Sequence, residues 1–332
     1  MLRTAPALCL AILVSMLVAS CASKYVYPTV TPRGDMTKAD VDQIIGEISN
    51  WGRWGVDDER GTLNLITPEK RREAAALVCE GVAVSLAHNV IKGELEKGEF
   101  DHLVHDAGGD EGNSHLSDQY SVRYHGFTQT HVDAICHMIR DGKMYNGFAR
   151  KADERKGVWR LGVQNMKKGM FTRGVLMDIA RLKGVEYLGG STQILPADLD
   201  AWEQRTGVRV GPGDAVLIRT GRGARIAAEP SWKYEDFAGL HASCLLWLKA
   251  RDVSVVGSDL ALDVLPAHVP DFGFPVHYGV IYGMGMPILD NNDYEELGNE
   301  CEKRGRWTLL LTVNPLAVEG GTGSPVNPIA YF

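Results

Sequence analysis

The chain has 332 residues, 45% of them hydrophobic and 23% charged, the balance of a folded globular protein rather than a disordered or fibrous one. A chain of this length buries a sizeable core. Its formal net charge is -7 and no basic stripe stands out, which argues against nucleic acid as the main partner.

The first 21 residues, "MLRTAPALCLAILVSMLVASC", read as a targeting segment. Arg3 precedes an apolar run that is short for a membrane span, and small residues lead to Val18-Ala19-Ser20-Cys21. A cysteine directly after a small residue at the cleavage point resembles a bacterial lipobox. That resemblance implies a signal peptide over 1–20, lipidation of Cys21 and membrane attachment through the lipid alone. A plain secretory signal or an uncleaved anchor is the alternative. Ala22 stands where aspartate would retain a lipoprotein at the inner membrane, so the expected location is the periplasmic side of the outer membrane. An oxidising compartment permits disulfides, but spacing pairs none of Cys79, Cys136, Cys244 and Cys301. No CxxC pair appears, which disfavours a thiolate zinc site. Cys79 and Cys244 lie in apolar helical patterns and are expected in the core.

Residues 21–44 are expected to be a tether, although "TKADVDQIIGEI" within and beyond it has helical spacing with Thr37 as cap. A single domain is expected over 45–332. "TPEKRREAAALVCEG" predicts a helix capped by Thr67, with Pro68 at its first position and Gly81 at its end. "VAVSLAHNVI" follows as a strand, and polar, glycine-rich residues 93–119 form a loop or hairpin excursion. "YSVRYHGF", "THVDAICHM", "RGVLMDIARL", "GDAVLIRTG" and "RWTLLLTVNPLAV" predict strands. "LPADLDAWEQRTGVRVGPG" predicts a helix ending at glycine, and "HASCLLWLKARDVSVVGSDLALDV" a helix followed by a strand. "HYGVIYGMGMPILDNN" begins as helix and ends as strand. Such alternation without internal repeats favours one α/β domain built on a mixed sheet.

His125, Gln129, His131, Asp133 and His137 all carry odd numbers. On a regular strand they would share a face. Imidazole nitrogens and a carboxylate on one face suit zinc or manganese, whereas a hydrogen-bonded polar cluster is the bland alternative.

"THVDAICH" (130–137) resembles the signature of the cyclase family, which includes bacterial kynurenine formamidase, isatin hydrolase and trans-dienelactone hydrolase. "WGRWGVDDERGTLNLITPEKRREAA" (51–75), "RGVLMDIARLKGVEYL" (173–188), "GDAVLIRTGR" (213–222), "FAGLHASCLLWL" (237–248), "VVGSDLALDV" (255–264) and "GGTGSPVNPIA" (320–330) agree with the family, the first and last with its longer branch. The resemblance implies an α/β fold of the swivelling β/β/α cyclase-like type, with a mixed, barrel-like sheet and outer helices. It implies one divalent metal, Zn or Mn, held by His131, Asp133 and His277, with His137 as general acid/base and Asp290 near the place of a ligand glutamate. It departs at Phe127, where the motif's first histidine is expected, and at Gln129, where a glycine is expected. His125 or Gln129 is the candidate replacement ligand.

The expected activity is hydrolysis of a small amide or lactone by metal-activated water. The alternatives are a non-catalytic periplasmic binding lipoprotein and a cyclase or lyase using the same metal. His241 is weighed between substrate contact and helix capping, and Trp54 is a weak candidate for the pocket wall. Asp259 and Asp263 are expected to be structural. His102, His105 and His115 are expected to be solvated loop residues, and "GGTGSPVNP" a tight turn without the lysine of a phosphate loop. The family suggests a homodimer or tetramer.

Overall fold

The computed structural model describes residues 36–93, 100–108 and 113–332. Cys21 and the signal segment lie outside the described residues. A nine-stranded sheet forms the frame, in the order Ala83–Ser85, Ile329–Tyr331, Thr308–Val313, Met170–Asp178, Ala215–Arg219, Val255–Ser258, Ile288–Asp290, His131–Asp133 and Gly323–Pro325. The four strands from Met170–Asp178 to Ile288–Asp290 run parallel, and the flanking pairs are antiparallel.

The central strands read as continuous apolar runs because both faces are covered. Val175, Met177, Val216, Ile218, Val256 and Ile288 point into one core with the helices Lys38–Glu47, Pro196–Thr206 and Cys244–Ala250. Leu176, Ala215, Leu217, Val255 and Leu289 point into the other, beside Tyr145, Tyr294 and Phe332. The sheet therefore separates two cores, one on each face.

Thr37 caps the first helix, whose Val41, Ile44 and Ile45 are buried together with Met36. The packed body thus reaches back before residue 45 and takes in the end of the expected tether. Thr67 accepts a hydrogen bond from the Lys70 amide, and Pro68 sits at the first position, as the cap chemistry predicts. This helix stops at Ala75, however, and only turns carry the chain on to Gly81. Cys79 falls in those turns and is exposed rather than buried, while Cys136, Cys244 and Cys301 are buried; all four are free thiols.

Residues 93–119 include most of a hairpin, Phe100–Asp106 paired with Leu116–Val122. It forms a sheet of its own and exposes Leu103, Val104, Leu116 and Tyr120. His102 is tied to Asp118 at 2.6 Å, whereas His105 and His115 are exposed. Among the described residues no helix is long and apolar enough to cross a membrane.

Candidate metal centre

Only three residues of "THVDAICHM" are strand. His131–Asp133 pairs with Ile288–Asp290 on one side and Gly323–Pro325 on the other. Strand alternation puts His131 and Asp133 on one face and sends Val132 into the opposite core. The register sets Asp290 opposite His131, so a third side chain joins that face from the neighbouring strand. Residues 123–130 are irregular and 135–137 form a turn, so the shared parity of all five residues does not survive beyond the strand. His125 and His137 still reach the site through these bends. Their rings stack at 4.1 Å with an interplanar angle of 7°.

Asp133 is the hub. His125 Nδ1 lies 2.9 Å and His131 Nε2 3.4 Å from its Oδ1. His137 Nε2 and His277 Nε2 lie 3.8 and 3.9 Å from its Oδ2. His277 Nε2 is also 3.1 Å from Asp290 Oδ2. The outer nitrogens of two rings are fixed from behind. His131 Nδ1 meets the Gln129 carbonyl at 2.8 Å, and His277 Nδ1 meets Asp263 at 2.5 Å. In both rings this leaves Nε2 facing the centre, the arrangement that orients metal-ligating histidines.

The sequence reading of Asp263 as merely structural missed this contact. Asp263 also accepts the Val276 and His277 amides at 2.6 and 3.0 Å, holding the start of the Pro275–His277 turn. Fourteen residues separate it from His277, and no local pattern links the two. Asp259 is structural as expected, accepting the amides of Thr220, Gly221 and Arg222.

Gln129 does not bring its side chain to the centre. Its amide nitrogen donates to the Ile91 carbonyl and faces a separate cavity of about 560 Å³ at the hairpin root. Its contribution is the backbone carbonyl behind His131. His241 is buried elsewhere, 2.7 Å from Ser243 Oγ and packed on His268 with ring centroids 4.0 Å apart. Trp54 stacks under the Arg53 guanidinium and lies outside the cavity lining. The "GGTGSPVNP" segment leaves a turn at Glu319 and Gly320, then supplies an edge strand that the sequence did not announce. Its Thr322 Oγ1 lies 3.0 Å from His125 Nε2.

The electrostatics favour a cation. Burial would push the Asp133 carboxyl up, but contacts with His125 and His131 and the charges of His131 and His137 outweigh it and hold it well below the usual range. Burial likewise works against a charged His277, yet Asp290 and Asp263 outweigh it and hold that imidazole well above its ordinary value. For His137 burial wins: opposed by Asp133 but reinforced by His125, His277 and His131, it pushes the imidazole down to about 4. Asp133 Oδ1 and Asp290 Oδ1 are buried without a hydrogen-bond partner. Buried carboxylate oxygens left in this way are costly. Donors on a tetrahedral zinc, with bonds of about 2.0–2.1 Å, stand roughly 3.3 Å apart. The 2.9 and 3.4 Å spacings around Asp133 Oδ1 match that value, so the residues fit a divalent ion.

The cavity above these groups holds about 180 Å³. Its floor is charged and its walls are Phe127, Met138, Ala261 and Phe274. Phe127 packs edge-on against Phe237 and gives the wall an apolar face where the family motif has a histidine.

The family model named Cyclase matches residues 56–263, which carry all of this centre except His277 and Asp290. The chain belongs to the cyclase family. A solved structure described as a novel cyclase superposes on this cyclase-family protein with a TM-score of 0.76 at 29% identity, covering 86% of this chain and 99% of that one. Isatin hydrolase A from Ralstonia solanacearum matches with a TM-score of 0.53 at 22% identity, over 75% of this chain and 91% of its own. An isatin hydrolase bound to the product analogue thioisatinate matches with a TM-score of 0.53 at 17% identity, over 76% and 92%. At these last two identities the likeness is one of fold. No curated protein matches the sequence.

Proposed function

We propose that this cyclase-family protein is a metal-dependent hydrolase that opens or cleaves a small amide or lactone. The observation that carries the reading is the convergence of His125, His131, His277 and the partnerless oxygens of Asp133 and Asp290 on one small cavity. A divalent zinc or manganese ion at such a site lowers the pKa of water from 15.7 to about 7 and polarises a carbonyl.

The chain's own residues supply the rest. Asp133 and Asp290 offset the cation's charge, and Asp263 and the Gln129 carbonyl keep His277 and His131 in the ligating tautomer. His137, uncharged at neutral pH, accepts a proton from the attacking water and returns it to the leaving nitrogen or oxygen. Such acid–base work is typically worth about 10²–10⁴ in rate. Phe127, Met138 and Phe274 give the cavity apolar walls for the uncharged part of a substrate. The fold shared with isatin hydrolases supports a cyclic amide as the first substrate to try.

The test is turnover of isatin, N-formylkynurenine and a dienelactone by protein stripped of metal and reloaded with Zn²⁺ or Mn²⁺. Metal should restore activity, and His137→Ala should lower kcat about 10²–10⁴-fold while metal content stays unchanged. Metal content that never exceeds background, together with no turnover, would sink the reading. Product analysis separates hydrolysis from cyclisation or elimination.

We also propose that the mature chain is anchored through Cys21 at the periplasmic face of the outer membrane, on the strength of the residues from Arg3 to Cys21. Cys21→Ser should abolish labelling by radioactive palmitate and shift the protein to the soluble fraction. Unchanged labelling would exclude the anchor.

A further inference from the structure

Resting on that reading, one question concerns how His125 is brought to the metal. The ring comes from a stretch without regular structure, which has no ladder of its own to fix it. Three of its carbonyls are instead held by two side chains from distant parts of the chain. Asn291 Nδ2 donates to the Gly126 and Gln129 carbonyls at 2.8 and 2.9 Å. Arg222 Nη2 donates to the Phe127 carbonyl at 2.7 Å. The two are joined, since Arg222 Nη1 donates to Asn291 Oδ1 at 3.2 Å. Thr130 Oγ1 closes the loop by donating to the Asn291 carbonyl at 2.6 Å.

Asn291 is fully buried and Arg222 nearly so, so both side chains are fixed in place. Asn291 adopts a φ of 56°, a left-handed conformation that asparagine tolerates better than most residues. It directly follows Asp290, so one short segment places a carboxylate at the centre and grips the His125 loop. The Gln129 carbonyl that Asn291 holds is the same one that meets His131 Nδ1. On the far side, a Cβ at Gly323 would lie 3.1 Å from His125 Cε1, so that glycine leaves the ring its room.

We propose that Asn291 and Arg222 are positioning residues, a buried clamp that sets His125 at the metal and so replaces the ligand lost at Phe127. The clamp acts on metal binding through His125.

The experiment uses the full chain, stripped of metal and titrated with Co²⁺ against a chelator, with the visible absorption of the bound ion recorded. Asn291→Ala should weaken Co²⁺ binding about 10–100-fold, the usual loss when an outer partner of a ligand is removed. It should shift the absorption bands as His125→Ala does. In the double variant the loss should be no greater than that of the more damaging single one, because both act on the same ligand. Arg222→Lys, which keeps the charge but cannot span the same acceptors, should show the same signature and guards against an Asn291 variant that fails to fold. Wild-type affinity and spectrum in Asn291→Ala or Arg222→Lys would overturn the proposal. So would multiplicative losses in the double variant, which mark a general effect on the fold. If the wild type binds Co²⁺ but His125→Ala binds it equally well, the clamp alone is refuted. If the wild type takes up neither Co²⁺ nor Zn²⁺, the metal reading falls with it.

Discussion

Buried His241 packs against half-buried His268, outside the metal centre. Burial, with His268 adding repulsion, pushes His241 down to about 4. Its unfolded value is about 6.5, so below that pH the unfolded chain binds a proton that the folded chain refuses. Stability is therefore fully present above about pH 6.5 and is lost as pH falls towards 4. His241→Asn should flatten that decline in urea unfolding between pH 7 and 4; an unchanged pH slope would contradict the assignment. At this same scale the ligand residues differ in how far the sequence exposes them. His131 and Asp133 share a face by strand alternation, whereas Asp290 was marked only by resemblance to the family's ligand glutamate. Gln129 illustrates the limit, because sequence offers a side-chain amide and the structure uses the carbonyl. Asp263 shows the reverse, an acid that local pattern gives no reason to single out.

At the scale of elements, helix starts were better marked than helix ends. Thr37 and Thr67 cap through side-chain bonds to amides three residues on, a local interaction that sequence spacing encodes. After Ala75 the chain turns, and the Glu80 and Gly81 amides donate to the Phe332 carbonyl, a partner remote in sequence. Close backbone approach is likewise invisible locally. Gly239 belongs to a two-residue strand, and a Cβ there would stand 2.3 Å from the Asp263 carbonyl carbon and oxygen. Gly239→Ala should therefore force apart the two segments and draw Asp263 from His277. The expected cost is about 1–3 kcal/mol of stability, read by urea unfolding, together with weaker metal binding. Full stability in the alanine variant would show that the approach is looser than it stands here.

For the whole molecule, the metal centre joins segments that span residues 125 to 290, so an ion bound only by the folded state stabilises all of it. At an ion concentration of 100 times Kd the gain is about 2.7 kcal/mol. Chelator should then lower the melting temperature by on the order of 5 °C, and Asp133→Ala should erase the difference. Equal melting with and without chelator would count against the site.

The sequence alone determined the α/β class, the buried central strands and the shared strand face of His131 and Asp133. Hydrophobic runs, caps and the two-residue period of a strand are local properties. Tertiary structure decided the rest: that Asp290 faces His131, that Asp263 stands behind His277, and that Asn291 and Arg222 grip the loop carrying His125. Those placements depend on strand register and on backbone approach between segments remote in the chain, and no local pattern of residues encodes either.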